Sequence, residues 1–168
     1  EHFDPGSETV RHFATRRPLD GARVRALLED SQGTVWVGSE TGLHRMDARG
    51  TLARINEVPR DSVRALLETR AGEIWLGTDH SGVFRRAGAR FLPLSVKDGL
   101  PSDEIRALLE DQRGRIWIGT NGGLCEFRAT GCHTYTTADG LAHNFVRALH
   151  EDAAGTLWIG TYGGGLSR

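Results

Sequence analysis

Four near-copies of one segment run through this chain, and whatever it folds into must use them as equivalent parts. RALLED begins at Arg25 and Arg106, RALLET at Arg64 and RALHED at Arg147. Eleven residues after each arginine stands a tryptophan: Trp36, Trp75, Trp117 and Trp158. The steps between tryptophans are 39, 42 and 41 residues, a period in the range of propellers, solenoids and helical repeats. Function therefore has to be sought in the array as well as in single residues.

Each copy divides into short runs separated by tight turns. In the first these are Val24 to Glu29, TVWVGS, LHRMD and TLARI, with turns at Asp30 to Gly33, at Glu40 to Gly42 and near Arg49 and Gly50. RALLED alone suits a helix, since Ala, Leu and Glu favour one. Its neighbours decide otherwise: a helix would have to stop within two turns at D-x-x-G, and VWVG, IWLG, IWIG and LWIG are β-branched and aromatic runs too short for helices. Asp first and Gly fourth, as in Asp30 to Gly33, Asp111 to Gly114 and Asp152 to Gly155, suit a tight turn between strands. The 22 glycines are accordingly read as turn chemistry.

The expectation is four antiparallel strands per repeat, a to d, with strand a an inner strand carrying Val24, Ala26 and Leu28 on one face and Leu27 on the other. A lone four-stranded sheet with two apolar faces cannot satisfy itself. Sheets stacked radially cover one another, with the tryptophans filling the wedges. The repeats are placed at about residues 15–56, 57–95, 96–137 and 138–168, the last completed by the half-repeat 1–14. In that half-repeat His2 to Asp4 and TVRHFAT form a hairpin around Pro5 and Gly6.

Composition narrows the function classes. Lys plus Arg number 21 against 22 for Asp plus Glu, which gives no overall electrostatic pull toward nucleic acid or an anionic membrane. No apolar run is long enough to span a bilayer, and EHFDPGSE lacks the basic start and apolar core of a secretion signal, so a water-soluble chain is expected. Because it starts and stops inside a repeat, it is also expected to be a piece of a longer polypeptide. Two cysteines, Cys125 and Cys132, lack metal-site spacing. They flank a hairpin tip at Ala129 and Thr130 in diagonal positions, where buried thiols are expected and a disulfide is the alternative.

The pattern RALLEDxxGxxWxGTxxGL, followed by YTTADGL, closely resembles the two-component regulator propeller repeat, over essentially the whole chain. In the third copy it is carried by Asp111, Gly114, Trp117, Gly119, Thr120, Gly123 and Leu124, preceded by Asp98, Gly99 and Leu100. Departures are Thr69 for the turn Asp, Ser39 for Thr, and a link before Ser62 without the DGL triplet. The resemblance implies an all-β propeller of four-stranded antiparallel blades, four per chain. It also implies a ligand-sensing part of a bacterial membrane signalling protein, periplasmic or extracytoplasmic, whose kinase, regulator or diguanylate cyclase output lies elsewhere. Family propellers of about seven blades turn about 50° per blade, whereas four blades alone would need about 90° and two chains together about 45°. The expectation is a homodimer closed head to tail through terminal hairpins into one eight-bladed ring. A compact four-bladed monomer and a fragment of a larger ring are the alternatives.

Up-and-down strands send the b–c loops and the d–a links to one rim, where the least uniform sequence gathers. The links are Arg16 to Arg23, Pro59 to Ser62, Val96 to Asp103 and Ala138 to Asn144. The candidate binding rim comprises Glu40, Asp79, His80, Asn121, His143 and Tyr162, with Arg25, Arg64, Arg106 and Arg147 at the starts of the inner strands. The arginines read either as an anion-binding ring for carboxylate, sulfate or phosphate or as partners of neighbouring acids, and their strict repetition favours the second. Glu29, Glu68, Glu110 and Glu151 are likewise expected to be solvated or paired. A streptogramin-cleaving lyase family, virginiamycin B lyase, uses a related propeller, and on that alternative His80 and His143 with Glu40, Asp79 and Asp103 would supply a base beside a metal. No metal-ligand spacing, phosphate loop or nucleophile elbow accompanies them. The expected function is thus a non-enzymatic module with no cofactor, binding a small molecule or oligosaccharide, with a lyase or a protein-interaction scaffold as alternatives.

Overall fold

A computed structural model describes residues 2–4, 9–11, 19, 21–47 and 49–168. The turn at Pro5 and Gly6, the end of TVRHFAT and half of the link from Arg16 to Arg23 lie outside the described residues. The architecture is all-β, built as a propeller of four antiparallel blades. The first blade is β3 (Val24–Glu29), β4 (Val35–Ser39), β5 (Gly42–Met46) and β6 (Leu52–Arg54). The second is β7 (Val63–Glu68), β8 (Ile74–Thr78), β9 (Val83–Ala87) and β10 (Arg90–Leu94). The third is β11 (Ile105–Glu110), β12 (Ile116–Thr120), β13 (Leu124–Arg128) and β14 (Gly131–Tyr135). The fourth has three strands, β15 (Val146–Glu151), β16 (Leu157–Thr161) and β17 (Gly165–Ser167). Near the N-terminus β1 (His2–Asp4) pairs with β2 (Thr9–Arg11) in a separate hairpin.

The RALL segments are strands, as their neighbours require, and β3, β7, β11 and β15 lie side by side as the inner strands. Each contains a one-residue irregularity that no sequence pattern announces: the ladder skips Arg25, Arg64, Arg106 and Arg147. A one-residue bulge exchanges the faces on its two sides. The alternation expected for strand a is therefore corrected. Val63 and Leu66 pack back onto the first blade, while Leu67, beyond the bulge, packs forward onto the third. By the same repeat Val24 and Leu28 point to opposite faces.

Three core clusters fill the three wedges between blades, each around one tryptophan. Trp36 packs with Leu43, Val63 and Leu76; Trp75 with Val83, Ile105 and Ile118; Trp117 with Leu124, Val146 and Ile159. Outer strands of the following blade finish the first two wedges, with Phe91 edge-on to Trp36 at 6.3 Å and Phe127 edge-on to Trp75 at 5.2 Å.

A second repeated device is a close approach at the glycine of W-x-G. A Cβ on Gly38 would lie 2.8 Å from Val63 Cγ1, one on Gly77 2.4 Å from Ile105 Cγ2, and one on Gly119 2.8 Å from Val146 Cγ1. Each blade thus offers a hole at a glycine, and the next fills it with a β-branched side chain. These glycines sit within strands and have no positive φ, which corrects their reading as turn residues.

The D-x-x-G turns do more than reverse the chain. Asp111 Oδ1 accepts from the backbone N–H groups of Arg113 and Arg115, and Oδ2 accepts from Trp117 Nε1 at 2.9 Å, so the turn acid fixes the wedge tryptophan. Asp30 and Asp152 hold Trp36 and Trp158 in the same way, each at 2.8 Å. Where Thr69 replaces Asp, Glu73 Oε2 accepts from Trp75 Nε1 instead, at 3.2 Å. Burial by itself would raise the Asp111 carboxyl; the bonds from Trp117 and Arg115 outweigh it and hold the group below the usual carboxylate range. A folded value below the unfolded one means that this stabilisation is present above about pH 3.9 and is lost as pH falls through the lower folded value. Asp111→Asn is therefore expected to cost about 2 kcal/mol at pH 7. Its stability should also fall less than that of the unmodified chain between pH 7 and pH 2, as urea unfolding at several pH values will read.

Cys125 and Cys132 are joined as a disulfide with Cα atoms 5.6 Å apart, so the expectation of free thiols is corrected. The register does place them diagonally, Cys125 opposite Thr134 and Cys132 opposite Phe127. Diagonal neighbours across a hairpin lie close enough for the bridge.

Candidate functional site

The b–c turns and the d–a links share one rim, as the strand directions demand. Gly82 N–H donates to Asp103 O at 3.0 Å, Asp79 N–H to Ser62 O at 2.9 Å and Asn121 N–H to Glu104 O at 3.1 Å. Two links are stiffened by 3₁₀ turns, Val96–Asp98 and Thr137–Asp139. In each, a hydroxyl and an acid cap one another reciprocally, Ser95 with Asp98 and Thr136 with Asp139, and a left-handed glycine, Gly99 or Gly140, ends the turn. The DGL triplet of the sequence is this device.

The bulges turn the four arginines onto the residue fifteen positions later in the b–c turn, and that residue changes from blade to blade. Arg25 meets Glu40 at 2.5 Å. Arg64 meets Asp79 at 2.7 Å, and Asp79 also takes Arg106 of the next blade, so one carboxylate ties two blades together. Arg106 further reaches Asn121 Oδ1 and Glu104 Oε2, each at 3.0 Å. Burial would raise the Asp79 carboxyl, but the bonds from Arg64 and Arg106 hold it below its ordinary value, and Asp79 in turn raises the Arg64 guanidinium. In the fourth blade no acid stands opposite. The Arg147 guanidinium lies 5.1 Å from the Phe145 ring centre and 5.3 Å from that of Tyr162, and among the described residues it makes no ion pair. The two rings meet edge to face at 5.3 Å, and the Arg106 guanidinium also lies 5.6 Å from the Phe145 ring centre.

The rim therefore grades from a paired, internally neutralised half to an aromatic and cationic half. Arg25, Arg64, Glu40 and Asp79 are committed to one another. Arg106 and Asn121 join that network, while Arg147 and Tyr162 remain exposed to solvent. His80 stands apart: its backbone N–H and its ring Nδ1 both meet Asp61, at 2.8 and 3.2 Å. His143 Nδ1 accepts from the Phe145 N–H at 3.0 Å, which places it beside the aromatic pair. Asp103 Oδ1 accepts from the Val96 N–H at 2.8 Å and shapes its own link. His80, His143, Glu40, Asp79 and Asp103 thus have separate structural partners, and the described residues contain no group of three or more that could hold a metal ion.

The repeated glutamates also hold blades together. Glu68 accepts from Ser31 N–H at 2.8 Å, Glu110 from Arg70 N–H at 2.6 Å and Glu151 from Gln112 N–H at 2.6 Å, each reaching from strand a to the a–b turn of the blade before. Sequence reasoning missed Phe145 as a rim residue. Its signal was present, since Ser62 and Glu104 occupy the same place two residues before the arginine and neither is aromatic.

Radial antiparallel sheets whose b–c turns and d–a links gather on one rim define the β-propeller class. The chain belongs to the two component regulator propeller family, whose repeat matches residues 18–41, 57–80, 99–122 and 140–163. Among solved structures it is similar to the extracellular domain of a protein described as the hybrid two component system BT3049 of B. thetaiotaomicron. That match has 29% identity and a TM-score of 0.74, and covers 86% of this chain and 20% of that one. The extracellular domain of BT4673 from the same organism, at 20% identity and a TM-score of 0.69, covers 84% and 22%. Virginiamycin B lyase from Staphylococcus aureus shares the fold at 16% identity and a TM-score of 0.63, covering 90% and 56%. The chain thus spans about a fifth of the length of these two extracellular domains. No curated protein matches the sequence. Among the described residues no helix is long and apolar enough to cross a membrane.

Proposed function

We propose that this propeller is the ligand-recognising part of an extracytoplasmic signalling region and works by binding rather than by catalysis. Family membership and the likeness to extracellular domains of two-component systems support the signalling context. The observation that carries the binding site is the change of partner along the arginine series, from Glu40 and Asp79 to Asn121 and then to the Phe145 and Tyr162 rings. Three blades spend their guanidinium on the fold. The fourth leaves Arg147 exposed beside an exposed aromatic face. A guanidinium pairs with a carboxylate, and an aromatic ring stacks on the apolar face of a sugar. An oligosaccharide bearing carboxylates suits that combination. Binding would be passed on to an output domain outside this chain.

Isothermal titration with an oligogalacturonate, and with its neutral methyl ester as the control, tests this reading. Arg147→Ala is expected to weaken binding of the acidic oligomer at least tenfold, about 1.4 kcal/mol, while the melting temperature stays within a few degrees. Equal affinity for the two oligomers, or no change in the variant, would contradict it.

A further inference from the structure

The rim away from Arg147 is formed by the a–b and c–d turns, and there a second polar link crosses the wedges. The second residue of one a–b turn reaches the backbone carbonyls of the next. The Arg70 guanidinium donates to Asp111 O and, at 3.1 Å, to Gln112 O, and its Nε lies 3.3 Å from Glu110 Oε1. Gln112 Nε2 donates to Asp152 O at 2.9 Å. A guanidinium thus closes the wedge between the second and third blades, and an amide closes the one after it.

The wedge between the first and second blades has the same acceptors and no such donor. Glu68, Thr69 and Arg70 hold there the places of Glu110, Asp111 and Gln112, but Ser31 stands in the place of Arg70. Its hydroxyl and its N–H both donate to Glu68, at 2.6 and 2.8 Å, and its side chain is too short to reach the turn beyond. An open groove of about 570 Å³ remains, lined by Ser31, Gln32, Glu68, Thr69, Arg70 and Ala71. Complete four-stranded blades bound it on both sides. Glu110 is paired with Arg70, whereas among the described residues Glu68 makes no ion pair.

We propose that this groove binds a guanidinium, supplied by an arginine side chain of a partner protein, which takes in the first wedge the place that Arg70 takes in the second. The guanidinium pairs with the Glu68 carboxylate and donates to the carbonyl oxygens of Thr69 and Arg70. Five donors in a planar fork match a carboxylate beside two carbonyls, whereas the ammonium of a lysine concentrates its donors at one point. A metal ion is not the occupant, since the described residues contain no group of three or more that could hold one. The site lies on the other rim from Arg147, so it stands apart from the ligand proposed there.

Two-dimensional amide NMR of the 168-residue chain tests the proposal, by titration with acetyl-Gly-Arg-Gly amide and with the same peptide carrying citrulline, which keeps the shape and loses the charge. The amide resonances of Ser31 and Arg70 are expected to shift with the arginine peptide at a Kd of about 1–10 mM, and the citrulline peptide to bind at least tenfold more weakly. Ser31→Arg supplies the guanidinium from within the chain. It is expected to abolish these shifts and to raise the melting temperature by about 2–4 °C. Arg70→Ser opens the next wedge in the same way, so shifts at Gln112 are expected to appear. Equal binding of the two peptides would overturn the proposal, as would a Ser31→Arg variant that still binds or is no more stable. Methylguanidinium binding where the arginine peptide does not would overturn the protein partner and assign the groove to a free guanidinium compound.

Discussion

Replacing Trp75 with alanine is expected to lower the unfolding free energy by about 3–5 kcal/mol, measured by urea denaturation followed by far-ultraviolet circular dichroism. The size follows from position. Trp75 is buried between the second and third blades against Val83, Ile105 and Ile118, with Phe127 edge-on, and its indole N–H is taken by Glu73. Removing the ring empties a wedge bounded by two rigid sheets, which cannot collapse without losing their strand pairing, and strands Glu73 as an acceptor. In a repeat array the damage falls on the single interface between neighbours, so the weakened seam becomes the place where unfolding begins.

The second large effect is expected at Gly119. Alanine there brings a methyl carbon to 2.8 Å from Val146 Cγ1, closer than such carbons approach, and to a tight 3.3 Å from Ala107 Cβ. The third and fourth blades must part or rotate, at about 1–3 kcal/mol, although Gly119 has an ordinary strand backbone that alanine adopts freely. A cost arising from contact with the next blade distinguishes this from a turn glycine such as Gly114, whose φ of 79° would make the cost conformational.

What the sequence made legible was whatever the repeat states four times. Strand number, turn positions, the tryptophan wedges and the common rim follow from spacing and residue type, because the period-2 pattern and the D-x-x-G turns are local. The bulge at Arg25, Arg64, Arg106 and Arg147 was not legible. It is a property of how two strands pair, and nothing in V-R-A-L marks which residue is skipped, so every face assignment across it came out reversed. The glycine of W-x-G was read as turn chemistry because composition alone cannot separate a glycine needed for φ from one needed for close approach. The bond that Trp117 donates to Asp111 was implicit in a constant six-residue spacing, visible once Thr69 and Glu73 are seen to change together in the second copy. The candidate site was legible as a rim and as a list of residues. Which of them were already spent on one another was not, because the sharing of Asp79 between Arg64 and Arg106 depends on the distance between blades.

The claim beneath all of this is that neighbouring blades are locked by a β-branched side chain seated over a bare glycine. It is tested most directly by a double-mutant cycle on Gly119→Ala and Val146→Ala, read by urea unfolding. Trimming Val146 is expected to relieve the clash, so that the double variant is more stable than the summed single costs allow by at least about 1 kcal/mol. Strictly additive costs would contradict it.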